Sequence, residues 1–112
     1  MQNIYVIYNK ETNRKYVGRA RNVDYRFKKH MEALKGHRHK SVKMQEDYDV
    51  YGENSFGFQI VDVEENCRED MKERSWMVKL KTYDSNYGYN TQDPCFMRHG
   101  SLRTRLYKSL MA

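Results

Sequence analysis

The first eighteen residues constrain the fold more than any other part of the chain, because they predict a short β-hairpin. Residues 3–9 alternate apolar, aromatic and polar side chains and are rich in strand-forming residues. A four-residue turn follows, and residues 14–18 form the returning strand. This loop length pairs Ile7 with Tyr16, which places Tyr5, Ile7 and Tyr16 on one face with the two phenol rings as diagonal neighbours.

A first helix is predicted to begin after the N-cap Asn22 and to end at Lys35, before Gly36. Its apolar stripe recurs at i, i+4, i+8 and i+11 and consists of Val23, Phe27, Met31 and Leu34. Arg26 and His30 are four residues apart, so they lie about 40° apart around the axis, at the edge of that stripe. The pattern alone favours a solvated rim, whereas the tyrosine hairpin that precedes the helix favours the wall of a cleft.

Two more helices and a third strand follow. Residues 41–51 predict a second helix, and residues 67–82 predict a third. Between them, residues 55–64 predict a strand that presents on one face Phe56, Phe58, Ile60 and Asp62. On the third helix Glu73 shares the apolar face with Trp76, Met77 and Leu80. A carboxylate in that position is costly unless it pairs with a cation or binds a metal ion.

These elements predict one domain of the α/β class (α+β type), a small three-stranded antiparallel sheet flanked by helices, over residues 1–93. A length of 112 residues leaves room for one modest core. Residues 94–112 form a basic tail in which Leu102, Leu106 and Leu110 make a narrow helical stripe. Such a short helix is marginal alone, so we expect it to dock on the module, pair with a partner or fold on DNA.

Composition excludes several classes of protein. Aromatic residues make up 13% of the chain, which argues against disorder. No apolar run approaches the roughly 20 residues that span a bilayer, and no signal segment is visible, so we expect no membrane association. Cys67 and Cys95 form no CxxC pair, and the default expectation is a reduced, cytoplasmic protein.

The charge is distributed unevenly along the chain. Residues 10–43 carry twelve Lys or Arg residues against three Asp or Glu, whereas residues 44–73 carry two against ten. Clustered cations neutralise phosphates, so the basic first third favours a nucleic acid as partner. The acidic middle fits a solvated surface.

Five separated elements occur in an order that resembles the GIY-YIG nuclease family. They are Asn3-Ile4-Tyr5, Tyr16-Val17-Gly18, the Arg26 to His30 segment, Glu73 and Gly88-Tyr89-Asn90. The sequence departs from the family pattern at Asn3, where the first glycine of the family name is expected. That glycine contributes backbone shape rather than a reacting atom.

The resemblance implies a role for each matched residue. Tyr5 or Tyr16 is the general base or positions water, and Arg26 stabilises charge on the phosphate. Glu73 is the ligand of one Mg²⁺ or Mn²⁺ ion per site. His30 supports the site or relays protons. Gly18, His39 and Asn90 match supporting positions of the family. Lys15 is also expected to support the site, because its positive charge would lower the pKa of a nearby tyrosine.

The predicted function is therefore a divalent-metal-dependent DNA endonuclease, most similar to the catalytic modules of phage homing endonucleases. Double-stranded DNA is the expected partner, with a monomer or transient homodimer as the acting species. The expected phosphate contacts are Arg19, Arg21, Lys28, Lys29, Arg38, Lys40, Lys43, Arg98, Arg103 and Arg105. A restriction-like or repair nuclease is one alternative, and a catalytically silent DNA-binding module of the same fold is another.

Overall fold

The structure is a computed structural model that describes residues 2–65 and 71–91. Its elements are, in order, β1 (Gln2–Asn9), β2 (Lys15–Ala20), α1 (Val23–Lys35), α2 (Val42–Tyr51), a 3-10 turn (Glu53–Ser55), β3 (Phe56–Glu64) and α3 (Met71–Leu80). The predicted basic tail, with Arg98, Arg103 and Arg105, lies outside the described residues, as does the predicted start of the third helix.

The three strands form one antiparallel sheet in the order β2-β1-β3, which confirms the predicted fold class. The predicted hairpin register is also confirmed, because Ile7 pairs with Tyr16 and the Asn9 N–H donates to the Arg14 carbonyl at 3.0 Å. As the central strand, β1 has partners on both edges. Because β2 pairs with β1 along its length, β1 fixes the position of Tyr16 and Gly18, which lie on β2.

Each face of the sheet has its own apolar core, which explains why four consecutive residues of β1 are buried. Tyr5 and Ile7 pack on one face with buried residues of α1 and α2. Ile4 and Val6 pack on the other face with Met77 of α3. Alternate side chains of a strand point to opposite faces, so the two cores share one strand. The tyrosine face of the hairpin is thus the face that α1 covers.

A β-bulge in β3 corrects one predicted feature of that strand. Ile4 pairs with Asp62, whereas its neighbour Tyr5 pairs with Ile60, so one extra residue is inserted in β3. The insertion turns Asp62 away from the predicted face. Its carboxylate instead accepts a hydrogen bond from the Trp76 indole of α3 at 3.0 Å. The predicted alternation was wrong here, because a bulge reverses the facing of every residue beyond it.

The helix boundaries follow local capping. The Asn22 side chain accepts the Tyr25 N–H at 3.0 Å, and Gly36 follows the last residue of α1, both as predicted. α3 ends at Leu80, two residues before the predicted end, because Lys81 adopts a left-handed φ of 56° and begins a turn. Within the described ranges no helix has the length and apolar character that crossing a membrane requires.

Residues 88–90 follow that turn and run beside the free edge of β2. The Tyr89 N–H donates to the Lys15 carbonyl at 2.9 Å. The Asn90 side chain then accepts the Val17 N–H and donates to the Val17 carbonyl, each at 2.9 Å. The amide therefore replaces the peptide of a neighbouring strand. It holds β2 in place next to Tyr16.

A buried carboxylate joins this segment to the rest of the fold. Asp47 of α2 is 5% exposed and accepts hydrogen bonds from the Tyr89 hydroxyl at 2.7 Å and from the Arg14 guanidinium at 3.0 Å. The Thr12 hydroxyl lies 3.2 Å from that of Tyr89. The network connects the hairpin turn, α2 and the segment that braces β2.

We predict that Asp47→Asn destabilises the fold by about 1–3 kcal/mol, because Arg14 then loses its counter-charge in a site that is largely out of water. Urea unfolding monitored by circular dichroism measures this change. The control is Glu46→Gln on the same helix, whose exposed side chain should contribute less than about 0.5 kcal/mol. Equal stabilities for the two variants would contradict the role assigned to the network.

Candidate active site

The two hairpin tyrosines form the floor of the candidate site. Their ring centroids are 6.4 Å apart, and Tyr5 lies across the sheet from Gly18. A Cβ atom at position 18 would overlap the Cζ and hydroxyl oxygen of Tyr5. Gly18 is therefore needed for close approach rather than for backbone freedom, since it lets the phenol lie flat over β2.

Helix α1 brings Arg26 and His30 to the same face. His30 Nε2 lies 2.9 Å from the Tyr5 hydroxyl oxygen, and the imidazole packs edge-on against Tyr16 with centroids 5.0 Å apart. Arg26 is exposed on the wall of the adjoining cleft. The predicted i, i+4 pair thus faces the site rather than a solvated rim.

The environment of the two phenols keeps them protonated. Burial raises the pKa of the Tyr5 hydroxyl above its ordinary value, and the nearby Tyr16 and Glu73 raise it further, whereas Arg26 lowers it. Burial also raises the pKa of Tyr16; Glu73 adds to that increase and Arg26 opposes it. A positive charge added beside Glu73 would offset part of both increases.

Glu73 lies in the first turn of α3, half-buried and close enough to both tyrosines for its charge to act on them. Among the residues that the structure describes, no three His, Cys, Asp or Glu side chains converge as a complete metal cage. Mg²⁺ commonly binds through one or two carboxylates, several waters and substrate phosphates. The single half-buried carboxylate of Glu73, close to both tyrosines, fits that mode of binding.

His39 lies behind His30, in the loop between α1 and α2. Its Nε2 is 2.8 Å from His30 Nδ1, and its Nδ1 accepts the Ser41 N–H at 3.0 Å. Gln45 holds this loop, because its side chain donates to the Leu34 carbonyl at 2.9 Å and accepts the His39 N–H at 3.4 Å. The sequence singled out His39 but neither Ser41 nor Gln45 as part of the site.

A cleft of about 340 Å³ opens beside these residues. Among the residues that the structure describes, its lining consists of Tyr16, Arg26, Lys29, His30, Ala33, Arg38, His39, Lys40, Ser41 and Thr91. Four of these side chains are cationic, and none is a carboxylate. The cleft is therefore electropositive, and Tyr16, His30 and His39 form part of its wall.

The structure divides the predicted phosphate contacts into two groups. Lys29, Arg38 and Lys40 line the cleft, whereas four others do not, namely Arg19, Arg21, Lys28 and Lys43. Lys15, predicted to support the tyrosines, is not brought to them. Its ammonium donates to the Asn13 carbonyl at 3.1 Å, at the hairpin turn.

Asn3 also has a defined place. Its side-chain amide donates to the Arg21 carbonyl at 3.1 Å and so ties the start of β1 to the chain that follows β2. Asn3 also keeps the regular strand register, pairing with Ala20 of β2.

Comparison with known proteins agrees with this geometry. The sequence model of the protein family described as the GIY-YIG catalytic domain matches residues 1–88. No curated protein sequence gives a significant match. Among solved structures, the catalytic domain of the homing endonuclease I-TevI is 30% identical, with a TM-score of 0.71, covering 83% of this chain and all of that domain. A mutant form of the same domain is 32% identical, with a TM-score of 0.69, covering 83% of this chain and 96% of that one.

The matched range includes the hairpin, α1, Glu73 and the start of the segment that braces β2, so the family model and the assembled site describe the same part of the molecule. This chain belongs to the GIY-YIG family of nuclease catalytic domains.

Proposed function

We propose that this chain is a divalent-metal-dependent endonuclease that hydrolyses phosphodiester bonds in double-stranded DNA. The observation that carries the proposal is the proximity of Tyr5, Tyr16, Arg26 and Glu73 to one another, with Tyr16 and Arg26 in the wall of a cationic cleft. A catalytically silent module would need the cleft but not this combination of phenols, guanidinium and half-buried carboxylate. The similarity to the I-TevI catalytic domain favours a homing type of enzyme over a restriction or repair type.

The cleft supplies binding and orientation. Arg26, which lines the cleft together with Tyr16 and His30, offers a planar fork of N–H donors that matches two oxygens of a phosphate. As water attacks phosphorus, negative charge builds on those oxygens, and a donor that is already oriented stabilises that charge at little reorganisation cost. Lys29, Arg38 and Lys40 would contact phosphates beside the one that is cleaved.

The tyrosines hold the attacking water. The ring centroids are 6.4 Å apart, the Tyr5 hydroxyl is bonded to His30, and Tyr16 lines the cleft, where a water or phosphate oxygen can reach it. In its phenolate form one of the two phenols accepts the proton of that water and becomes neutral, and the adjacent Arg26 lowers the pKa of both phenols and so favours the phenolate from which this step starts. Water is excluded from the rear of the site by the apolar core around Tyr5.

Glu73 is the residue that would hold Mg²⁺ or Mn²⁺. The bound ion would supply positive charge for the departing oxygen and would lower the pKa of the neighbouring phenols. Its place in the first turn of α3 brings the charge of Glu73 close enough to act on both tyrosines of the hairpin.

Glu73→Gln should abolish metal-dependent cleavage while leaving the fold and DNA binding nearly unchanged. The amide keeps the size of the side chain but loses the charge that binds the ion, and DNA affinity comes mainly from Lys and Arg. Nicking of supercoiled plasmid in Mg²⁺, together with the melting temperature and an equilibrium binding assay, measures all three properties.

Glu53→Gln is the matched control, because Glu53 is an exposed carboxylate paired only at the surface. It should cleave like the parent protein. Turnover by Glu73→Gln at a rate near that of the parent would refute the metal-ligand assignment. A parent protein that binds DNA and never cleaves it would refute the enzymatic function.

Replacing both Arg38 and Lys40 by Gln should weaken DNA binding and make its salt dependence shallower. Each lost phosphate contact should reduce the slope of log K against log[salt] by about 0.9 on duplex DNA. Fluorescence anisotropy in the presence of a chelator, which prevents cleavage, measures the slope.

The control replaces Lys10 and Lys79, two exposed lysines that do not line the cleft, and so removes the same total charge. Its slope should stay closer to that of the parent protein. Equal slopes for the two double variants would mean that overall charge, rather than the cleft, determines DNA binding.

A further inference from the structure

A continuous chain of hydrogen bonds connects the start of α2 to Tyr5. The Ser41 backbone N–H lies 3.0 Å from His39 Nδ1, and His39 Nε2 lies 2.8 Å from His30 Nδ1. His30 Nε2 then lies 2.9 Å from the Tyr5 hydroxyl oxygen. All four groups are at least partly buried, so water competes little for these bonds.

The backbone end of this chain determines the direction of every bond in it. A backbone N–H can only donate, so His39 Nδ1 must be the acceptor. A neutral imidazole carries one N–H, which therefore resides on His39 Nε2 and donates to His30 Nδ1. By the same reasoning His30 carries its hydrogen on Nε2 and donates it to the Tyr5 oxygen.

Both histidines are neutral near pH 7, as this reasoning requires. Burial lowers the pKa of His30 to about 4, and the neighbouring His39 and Arg26 lower it too. Burial likewise lowers the pKa of His39. The charged and titratable side chains that surround the pair are Tyr5, Tyr16, Arg26, Lys29, Arg38 and Lys40.

We propose that His39 is a positioning residue, held by the Ser41 N–H, that fixes His30 in its Nε2–H tautomer, so that Tyr5 receives the hydrogen of the His30–Tyr5 bond and does not give it. The opposite direction would require a hydrogen on His39 Nδ1, facing the Ser41 N–H donor. Two donors would then oppose each other in a partly buried turn, which leaves both unsatisfied.

This direction matters for the reaction. The Tyr5 oxygen accepts the His30 Nε2–H, so the O–H of Tyr5 is not used in this bond and stays available for another partner. Negative charge on that oxygen would meet a donor that is already in place, and the histidine pair does not take up the Tyr5 proton. The effect on cleavage rests on the proposed nuclease function, whereas the tautomer assignment does not.

The tautomers can be measured on the parent protein without DNA or metal. In ¹⁵N-histidine-labelled protein at pH 7, two-bond nitrogen–proton correlations distinguish an Nε2–H imidazole from an Nδ1–H imidazole. We expect the Nε2–H pattern at both His30 and His39. An Nδ1–H tautomer at His30, or a mixture of the two, would overturn the proposal even if the protein cleaves DNA as expected.

His39→Asn separates the two hydrogen bonds of His39, one with the Ser41 N–H and one with His30. The Asn amide oxygen can still accept the Ser41 N–H, but the Nε2–H donor towards His30 is lost. We expect His30 to become a mixture of tautomers and its pKa to rise from about 4 towards the ordinary 6.5. Cleavage should fall about ten-fold in kcat, with KM within about two-fold of the parent value.

His37→Asn is the control, because His37 is an exposed histidine of the same loop with a φ of 55°, a conformation that Asn tolerates. It should leave the His30 tautomer and pKa unchanged. An unchanged His30 tautomer and pKa in His39→Asn would overturn the proposal. If the parent protein lacks nuclease activity while the tautomers are as expected, the proposed function fails and the assignment stands.

Discussion

The structure depends on the burial of a single phenol. Tyr5 is 1% exposed on the central strand, where its ring packs in the core beneath α1 and over Gly18, yet its hydroxyl oxygen is the end of the histidine chain. The same side chain therefore contributes apolar burial to the fold and an oxygen to the site. Because a close-packed core resists small displacements, this oxygen is held in place relative to α1 and β2.

The second tyrosine is held by a different device. Tyr16 lies on the edge strand β2, and an edge strand lacks a partner on one side. The Asn90 amide provides that partner at Val17, and the Asp47 network anchors the segment that carries Asn90. The geometry of the site thus depends on residues far apart in sequence. Substitutions in the anchoring network should influence the site by moving β2.

The sequence predicts best what local periodicity determines. The hairpin register, the Asn22 cap and the apolar stripe of α1 were all correct, since each depends on neighbours within a few residues. The facing of Asp62 was wrong, because a bulge arises from the fit of β3 against β1 and leaves no mark in the alternation. The contact of the Lys15 ammonium with the hairpin turn could not be predicted from the sequence either, because the side chain of a strand residue can reach either the site or the turn.

The roles of the loop before α2 depend on tertiary structure. Ser41 is an N-cap residue of a common type, and its side chain accepts the Met44 N–H. Nothing in the neighbouring sequence indicates that the backbone N–H of Ser41 donates to His39. Gln45 likewise appears as an ordinary helical residue until its contacts with α1 and the loop are known. Family resemblance pointed to the residues that are proposed to contact the phosphate, and the structure shows which residues hold them.

The central claim is that the Tyr5 hydroxyl takes part in DNA cleavage, and deletion of that one oxygen atom tests it most directly. Tyr5→Phe should retain the fold, since the ring keeps its packing, but should reduce the single-turnover rate of DNA cleavage by about 100-fold or more. Tyr8→Phe removes the same atom from the same strand, from a half-buried tyrosine that packs over Gly57, and should cleave at nearly the parent rate. A folded Tyr5→Phe protein that cleaves DNA within a few-fold of the Tyr8→Phe rate would contradict the account.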